Sequence, residues 1–194
     1  MAILNLASKA LLIRCLRLST VLMLFIATAT MSIATAMADR PLEYPVKGAY
    51  LFKFGDFIEW PTHSFPEAGS PFIIGILGED PFGPELDEMV QSRTVQGRQV
   101  IVKRYKILDD AKAAHILYIG ANKAERLEQI QTSLNGKSVL TVSDESKEAA
   151  GIVNFTVLDN KVRFEIDPAA ALRASLKVSS KLLSVAIIVR NEKR

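Results

Sequence analysis

Apolar side chains recur along the chain at two spacings, and each spacing predicts its own kind of element. Over residues 45–58 they return every three or four positions, which predicts a helix that ends at Trp60 and Pro61. The run 72–77 is continuously apolar, as is typical of a strand buried on both faces. These spacings predict a helix followed by a buried strand.

The rest of the chain continues this alternation. Further strands are predicted at 100–102, 115–119 and 138–142, with helices through Leu86 to Val90 and over 121–134. A hairpin over 152–158 and 162–166 is predicted to turn at Asp159-Asn160-Lys161, and a last helix to run from Pro168 to about residue 189. The expected fold class is α/β: a single-domain three-layer sandwich, with a mixed central β-sheet and helices on both faces.

The first 38 residues predict a cleavable secretory signal peptide. Three basic residues and no acidic one precede or flank the apolar run over 21–27: Lys9, Arg14 and Arg17. Small side chains at Ala36 and Ala38 predict cleavage before Asp39, with a cut after Ala36 as the alternative. The other interpretation is an uncleaved anchor, but the run is shorter than the roughly 20 residues that span a bilayer. The mature domain is therefore expected at 39–194, in the periplasm, without membrane insertion.

Cleavage changes the charge and the available chemistry. The whole chain has 24 basic and 21 acidic residues, and three of the basic ones lie in the signal segment, so the mature chain is close to neutral. A nucleic-acid partner is not expected, because such binders carry a net basic surface. The only cysteine, Cys15, is also removed, which excludes disulfides and thiolate chemistry from the mature domain.

Motifs for catalysis or cofactor binding are weak. The glycine-bearing segment 75–83 lacks both the dinucleotide fingerprint and the P-loop lysine. His63 and His115 have no metal-ligand spacing around them, and no G-x-S-x-G motif supports Ser143 as a nucleophile beside Asp144. We therefore expect no enzyme activity, no catalytic residue, no metal and no cofactor.

Large apolar residues in the first helix outnumber those that one buried face can use. Either the helix is buried nearly all round, or part of it is a surface for a partner. Aromatic side chains are frequent hot spots at interfaces, so this segment supplies candidates for partner binding. They are Leu51, Phe52, Phe54, Phe57 and Trp60.

Seven blocks of the sequence together resemble the YfiR-like periplasmic proteins. The first, VKGAYLFKFGDFIEWP at 46–61, ends in the family pattern Phe-x-x-Phe-[Val/Ile]-x-Trp-Pro. The others follow in family order, at 76–83, 115–119, 139–144, 151–155, 162–166 and 176–183. The residues taken as family signature with a structural role are Pro61, Gly83, His115, Asp144, Phe164, Glu165, Lys177, Ser179, Ser180 and Lys181.

The resemblance implies a periplasmic repressor, often dimeric, with no catalytic residues. Such proteins bind the periplasmic sensor portion of an inner-membrane diguanylate cyclase and hold it inactive, which lowers cyclic di-GMP and restrains biofilm formation. Some members have a cysteine where this chain has Ala114, so redox tuning is not expected here. Two alternatives remain open: a binder of a small ligand or cell-wall fragment, and a hydrolase that uses Ser143 and His115.

Overall fold

The computed structural model describes residues 42–144 and 151–189 of the chain. The predicted signal peptide and its cleavage position lie outside the described residues. Within them, no helix combines the length and the apolar character needed to cross a membrane.

Six α-helices and ten strands alternate along the described residues. The helices are α1 (Glu43–Phe57), α2 (Gly83–Val90), α3 (Leu108–Ala111), α4 (Leu127–Ser133), α5 (Pro168–Arg173) and α6 (Ser180–Val185). The strands are β1 (Ile58–Glu59), β2 (Phe72–Leu77), β3 (Thr94–Val95), β4 (Arg98–Tyr105), β5 (Ile116–Ile119), β6 (Leu140–Asp144), β7 (Val153–Leu158), β8 (Lys161–Ile166), β9 (Lys177–Val178) and β10 (Ile188–Val189). Two 3₁₀ helices, Thr62–Ser64 and Ala121–Arg126, complete them.

The main sheet has eight strands in the order β10-β8-β7-β6-β5-β2-β4-β3. Its centre is parallel, since β4, β2, β5, β6 and β7 run in one direction. The β7–β8 hairpin and the β3–β4 pair are antiparallel, so the sheet is mixed. Strands β1 and β9 form a separate antiparallel pair.

Two hydrophobic cores lie on opposite faces of this sheet because successive residues of a strand point to opposite sides. In β2, Ile74 and Ile76 join the core that contains side chains of α1, α2, α5 and α6. Ile73 and Leu77 join the other core, with residues from α3 and α4. This arrangement confirms the α/β three-layer sandwich.

The predicted hairpin is present, and its loop has two residues. Asp159 and Asn160 have φ angles of 50° and 56°, the left-handed values of the tight turns that match strand twist. The predicted third loop residue, Lys161, is already the first residue of β8.

The predicted last helix, from Pro168 to about residue 189, is wrong. The chain forms α5, β9, α6 and β10 there in place of one helix. The helix α5 ends because Ser175 adopts a φ of 58°, and the following residues pair with β1. Ser179 then begins α6 by accepting a hydrogen bond from the amide of Leu182, an N-cap that starts a new helix.

The predicted helix over 121–134 is also divided, into the 3₁₀ helix Ala121–Arg126 and α4. The layers of the fold are nevertheless as predicted.

The break after α5 allows β9 to pair with β1, which places Lys177 beside Glu59. These two residues are part of the cleft described below.

Candidate functional site

The first helix does not present the expected aromatic surface. Leu51 and Phe54 are fully buried, Phe52 is 6% exposed and Trp60 is 8% exposed, whereas Phe57 is half-buried. Of the five candidates for partner binding, Leu51 and Phe52 are therefore in the core and not at the surface. One strip of α1 is exposed, formed by Pro45, Val46, Ala49, Lys53 and Asp56, but its large aromatic side chains are not part of that strip.

Enclosure by several elements explains this burial. Helix α1 packs against α2, β3, β8 and α6, so neighbours cover it on more than one side. On the side of Phe52, the side chains of Lys53 and Arg93 each lie 5.4 Å from the ring centroid. Cations over an aromatic face are favourable and also shield the ring from water.

An aromatic cluster fixes α1 to the hairpin. The ring of Phe54 lies 5.2 Å from that of Phe164 and 6.0 Å from that of Phe155. Tyr50 lies 5.4 Å from Phe164, edge to face. Phe164, a signature residue, is thus part of the core that holds α1 against the sheet.

A buried lysine on α1 forms an ion cluster that the sequence analysis missed. The side chain of Lys47 is 1% exposed, and its Nζ lies 2.5 Å from Glu43 Oε1 and 2.6 Å from Asp144 Oδ1. Asp144 also accepts a hydrogen bond of 3.1 Å from the Tyr118 hydroxyl. The only signal for it in the sequence is the Glu43–Lys47 spacing of one helical turn on an otherwise apolar face.

The charges and hydrogen bonds of this cluster shift the pKa values of Lys47 and Tyr118. Burial by itself lowers the pKa of Lys47, but the hydrogen bonds to Asp144 and Glu43 more than offset this and raise it. Burial, together with the negative charge of Asp144, also raises the pKa of Tyr118. Lys47 therefore stays protonated, which makes it unsuited to act as a nucleophile.

His115 is held at the opposite end of the sheet. Its ring stacks between Phe65 and Phe72, with centroids 4.4 Å and 4.9 Å away. Nδ1 accepts a hydrogen bond from the amide of Ile73, and Nε2–H donates to the carbonyl oxygen of Ser64. Both ring nitrogens are thus used, and only a neutral ring with the proton on Nε2 satisfies both partners.

The environment of His115 opposes its protonation. Burial, with a smaller contribution from the charge of Arg98, lowers the pKa of His115 to about 4, although the hydrogen bond to Ser64 acts in the other direction. This histidine is accordingly a structural residue that joins the loop before β2 to the start of β5.

The groups considered for a hydrolase are not brought together. His115 precedes β5 and Asp144 ends β6; from the pairing of Ile116 with Leu140, they are separated along the strands by roughly 16 Å. The hydroxyl of Ser143 donates to Asn154 Oδ1 and accepts from the amide of Gly151. Within the described parts of the chain, no group of His, Asp or Glu side chains could hold a metal ion.

A surface cleft gathers several of the predicted residues. It has a volume of about 610 Å³ and lies beside the β1–β9 pair. Lys177 and Glu59 form an exposed ion pair of 3.6 Å there, and Trp60 and Pro61 contribute to the wall. The other lining residues are Thr62, His63 and Ser175.

The remaining signature residues lie in different elements and do not form one site. Gly83 begins α2 with a φ of 57°, and Ser179 caps α6. Ser180 and Lys181 form the first turn of α6, and Glu165 lies on β8. The structure therefore distributes the signature among the ion cluster, the cleft, the His115 site and helix starts.

Replacing Lys47 tests the ion cluster. We expect Lys47→Met to lower the free energy of unfolding by about 3–5 kcal/mol, because Asp144 and Glu43 lose the cation that offsets their charge. Adding Asp144→Asn is expected to recover part of this loss. Urea unfolding measures both, and Lys53→Met, which removes an exposed cation from the same helix, is the control with a small effect. Equal losses for the two lysines would contradict this account.

Acid is expected to destabilise the fold through His115. The pKa of this residue in the folded chain, about 4, lies below its ordinary value of 6.5, so the unfolded chain takes up the proton first. The stability that depends on neutral His115 is complete above pH 6.5. It is lost as the pH falls towards 4, by about 3 kcal/mol in total.

Thermal unfolding between pH 7 and 5, above most carboxylate titrations, measures about 2 kcal/mol of this loss. We expect His115→Gln to flatten the profile and His63→Gln, which removes an exposed histidine, to leave it unchanged. An unaltered profile in His115→Gln would refute the assignment.

Similarity to a protein family shows the group to which this chain belongs. Residues 44–187, from α1 to the residue before β10, match the family model DUF4154, described as YfiR/HmsC-like. None of the curated proteins compared with the chain matches it. The family suggests a periplasmic regulator, since its members are regulators and not enzymes, and act through protein partners in cyclic di-GMP signalling. The match covers most of the sequence, and the chain belongs to the YfiR/HmsC-like family.

Proposed function

We propose that this protein binds the periplasmic sensor portion of an inner-membrane diguanylate cyclase and holds the enzyme inactive. Repression of this kind lowers cyclic di-GMP and restrains biofilm formation. The proposal includes export by the signal peptide at 1–38 and a homodimeric state. The family match over residues 44–187 is the observation that carries it.

The mechanism requires selective binding to one state of the sensor. To change such a switch from almost fully on to almost fully off, the protein must favour the off state by about 5.5 kcal/mol. A few well-packed apolar or aromatic contacts at an interface reach this magnitude. The question is then which apolar side chains are available, since Leu51, Phe52 and Phe54 of α1 are in the core.

Exposed apolar residues near the carboxyl terminus are the best candidates for this contact. Leu172 is 71% exposed, Val185 60% and Ile187 41%, and they come from α5, the end of α6 and the turn before β10. The strand β10 is at one edge of the main sheet, so a partner can approach this segment from outside. We refer to these three side chains as the C-terminal apolar residues.

Charged substitutions among the C-terminal apolar residues test the proposal. The double variant Leu172→Asp/Val185→Asp is expected to weaken binding to the purified sensor domain of the cognate cyclase at least tenfold, because apolar contacts would be replaced by desolvated carboxylates. Ile107→Asp, which changes another exposed apolar residue, is the control with unchanged affinity. Binding is measured by calorimetry, and circular dichroism verifies folding.

Two outcomes would contradict the proposal at different levels. If the wild type binds and the double variant binds equally well, the contact surface is elsewhere. If the wild type retains no membrane cyclase in co-purification, and its deletion leaves cellular cyclic di-GMP unchanged, repression of a cyclase is not its function.

A second candidate function is the binding of a small ligand or a cell-wall fragment. The cleft beside β1 and β9 favours it, because about 610 Å³ is within the usual size range of ligand sites and the lining offers an aromatic wall with both charges. A saturable rise in melting temperature with a ligand, in the absence of any protein partner, would support this function. We expect Lys177→Ala to abolish that rise without loss of fold, since Lys177 is exposed.

A further inference from the structure

A second cavity lies at the amino ends of β5 and β6, and His63 of the 3₁₀ helix Thr62–Ser64 lines both this cavity and the cleft. Its volume is about 220 Å³, and three separate segments of the chain form it. Its polar lining residues are His63, Ser64, Lys112, His115, Lys137 and Ser138. The other lining residues are alanines, a glycine and a valine. We refer to it as the basic cavity.

The charged side chains that line the basic cavity are both lysines. Lys112 follows α3 and Lys137 follows α4, and no acidic residue lines the cavity. Lys112 pairs with Asp109, but the carboxylate is 80% exposed, and an exposed pair of this kind holds a lysine only weakly. The cavity is therefore a place where a negative charge is favourable.

Hydrogen-bond donors complement this charge. The hydroxyl of Ser64 is buried and has no hydrogen-bond partner among the described residues, which is an uncommon and costly condition. Ser138 adds a second hydroxyl. His115 is not such a donor, because both of its ring nitrogens already have partners; it forms a fixed wall. Since the Ser64 oxygen is almost inaccessible to water, a rotation of this side chain is what brings its hydroxyl to an acceptor in the cavity.

The volume of the basic cavity limits the size of the ligand that can bind there. A water molecule occupies about 30 Å³ of liquid, so the cavity has room for roughly seven waters and is smaller than sites for drug-sized molecules. A tetrahedral oxyanion with a small substituent fits this space and presents several acceptor oxygens to lysines and hydroxyls.

We propose that the basic cavity binds a phosphate group, either as inorganic phosphate or as the phosphoryl group of a small soluble monoester. Lys112 and Lys137 neutralise its charge, and Ser64 and Ser138 donate hydrogen bonds to its oxygens. A cation after a helix is also favourable for the helix dipole, but that effect requires neither the cavity nor the unpartnered hydroxyl. The site is independent of the partner surface proposed above.

Melting temperature at constant ionic strength tests this site with two probes, inorganic phosphate and glycerol phosphate, against sodium chloride. We expect a saturable rise of about 4 °C at tenfold excess over Kd. The substitutions Lys112→Gln and Lys137→Gln are each expected to weaken Kd about tenfold, and Ser64→Ala to weaken it less. Lys103→Gln, which removes an exposed lysine of β4, is the control with unchanged Kd.

The two probes distinguish the source of the phosphate. Tighter binding of glycerol phosphate identifies a monoester site, and equal or tighter binding of inorganic phosphate identifies a free-anion site. The proposal is overturned if neither probe gives a saturable rise beyond that of chloride. It is equally overturned if the Lys112→Gln/Lys137→Gln variant, folded as judged by circular dichroism, responds like the wild type.

Discussion

Helix α1 carries the ammonium group of Lys47 into the core, and the fold must offset the cost of removing that charge from water. Two carboxylates do so: Glu43, from the previous turn of the same helix, and Asp144, from the end of β6. The hydroxyl of Tyr118 donates a hydrogen bond to Asp144. A buried charge tolerates few other arrangements, because each missing partner leaves an uncompensated ion. The position of α1 on the sheet is therefore specified by electrostatics as well as by apolar packing.

The same enclosure decides where the protein can meet a partner. Tyr50 and Phe54 of α1 pack against the hairpin, so these rings stabilise the domain and do not form a partner surface. A regulator built in this way must use side chains that the core leaves outside. The C-terminal apolar residues are outside because the chain after Pro168 breaks into short elements, each too short to bury all of its apolar positions.

The two ends of the parallel strands differ in character. The ion cluster around Lys47 lies at the carboxyl end of β6, the side of the sheet where α/β folds commonly place ligands. The amino ends leave the basic cavity, bordered by His115 in a neutral state. Since His115 joins the loop before β2 to β5, acid that protonates it would disturb the wall of that cavity and the adjoining cleft together.

The sequence by itself determined the layers of the fold and the hairpin, because apolar residues every three or four positions predict helices and short continuous apolar runs between turn residues predict buried strands. It also determined, through the ordered signature blocks, the family. Only the tertiary structure decided that Leu51 and Phe52 are buried, since a helix covered on several sides and a helix with an exposed patch have the same apolar pattern. It also decided the meeting of Lys47 with Asp144 and the break at Ser175, because long-range pairing and a single backbone angle leave no periodic trace in a sequence.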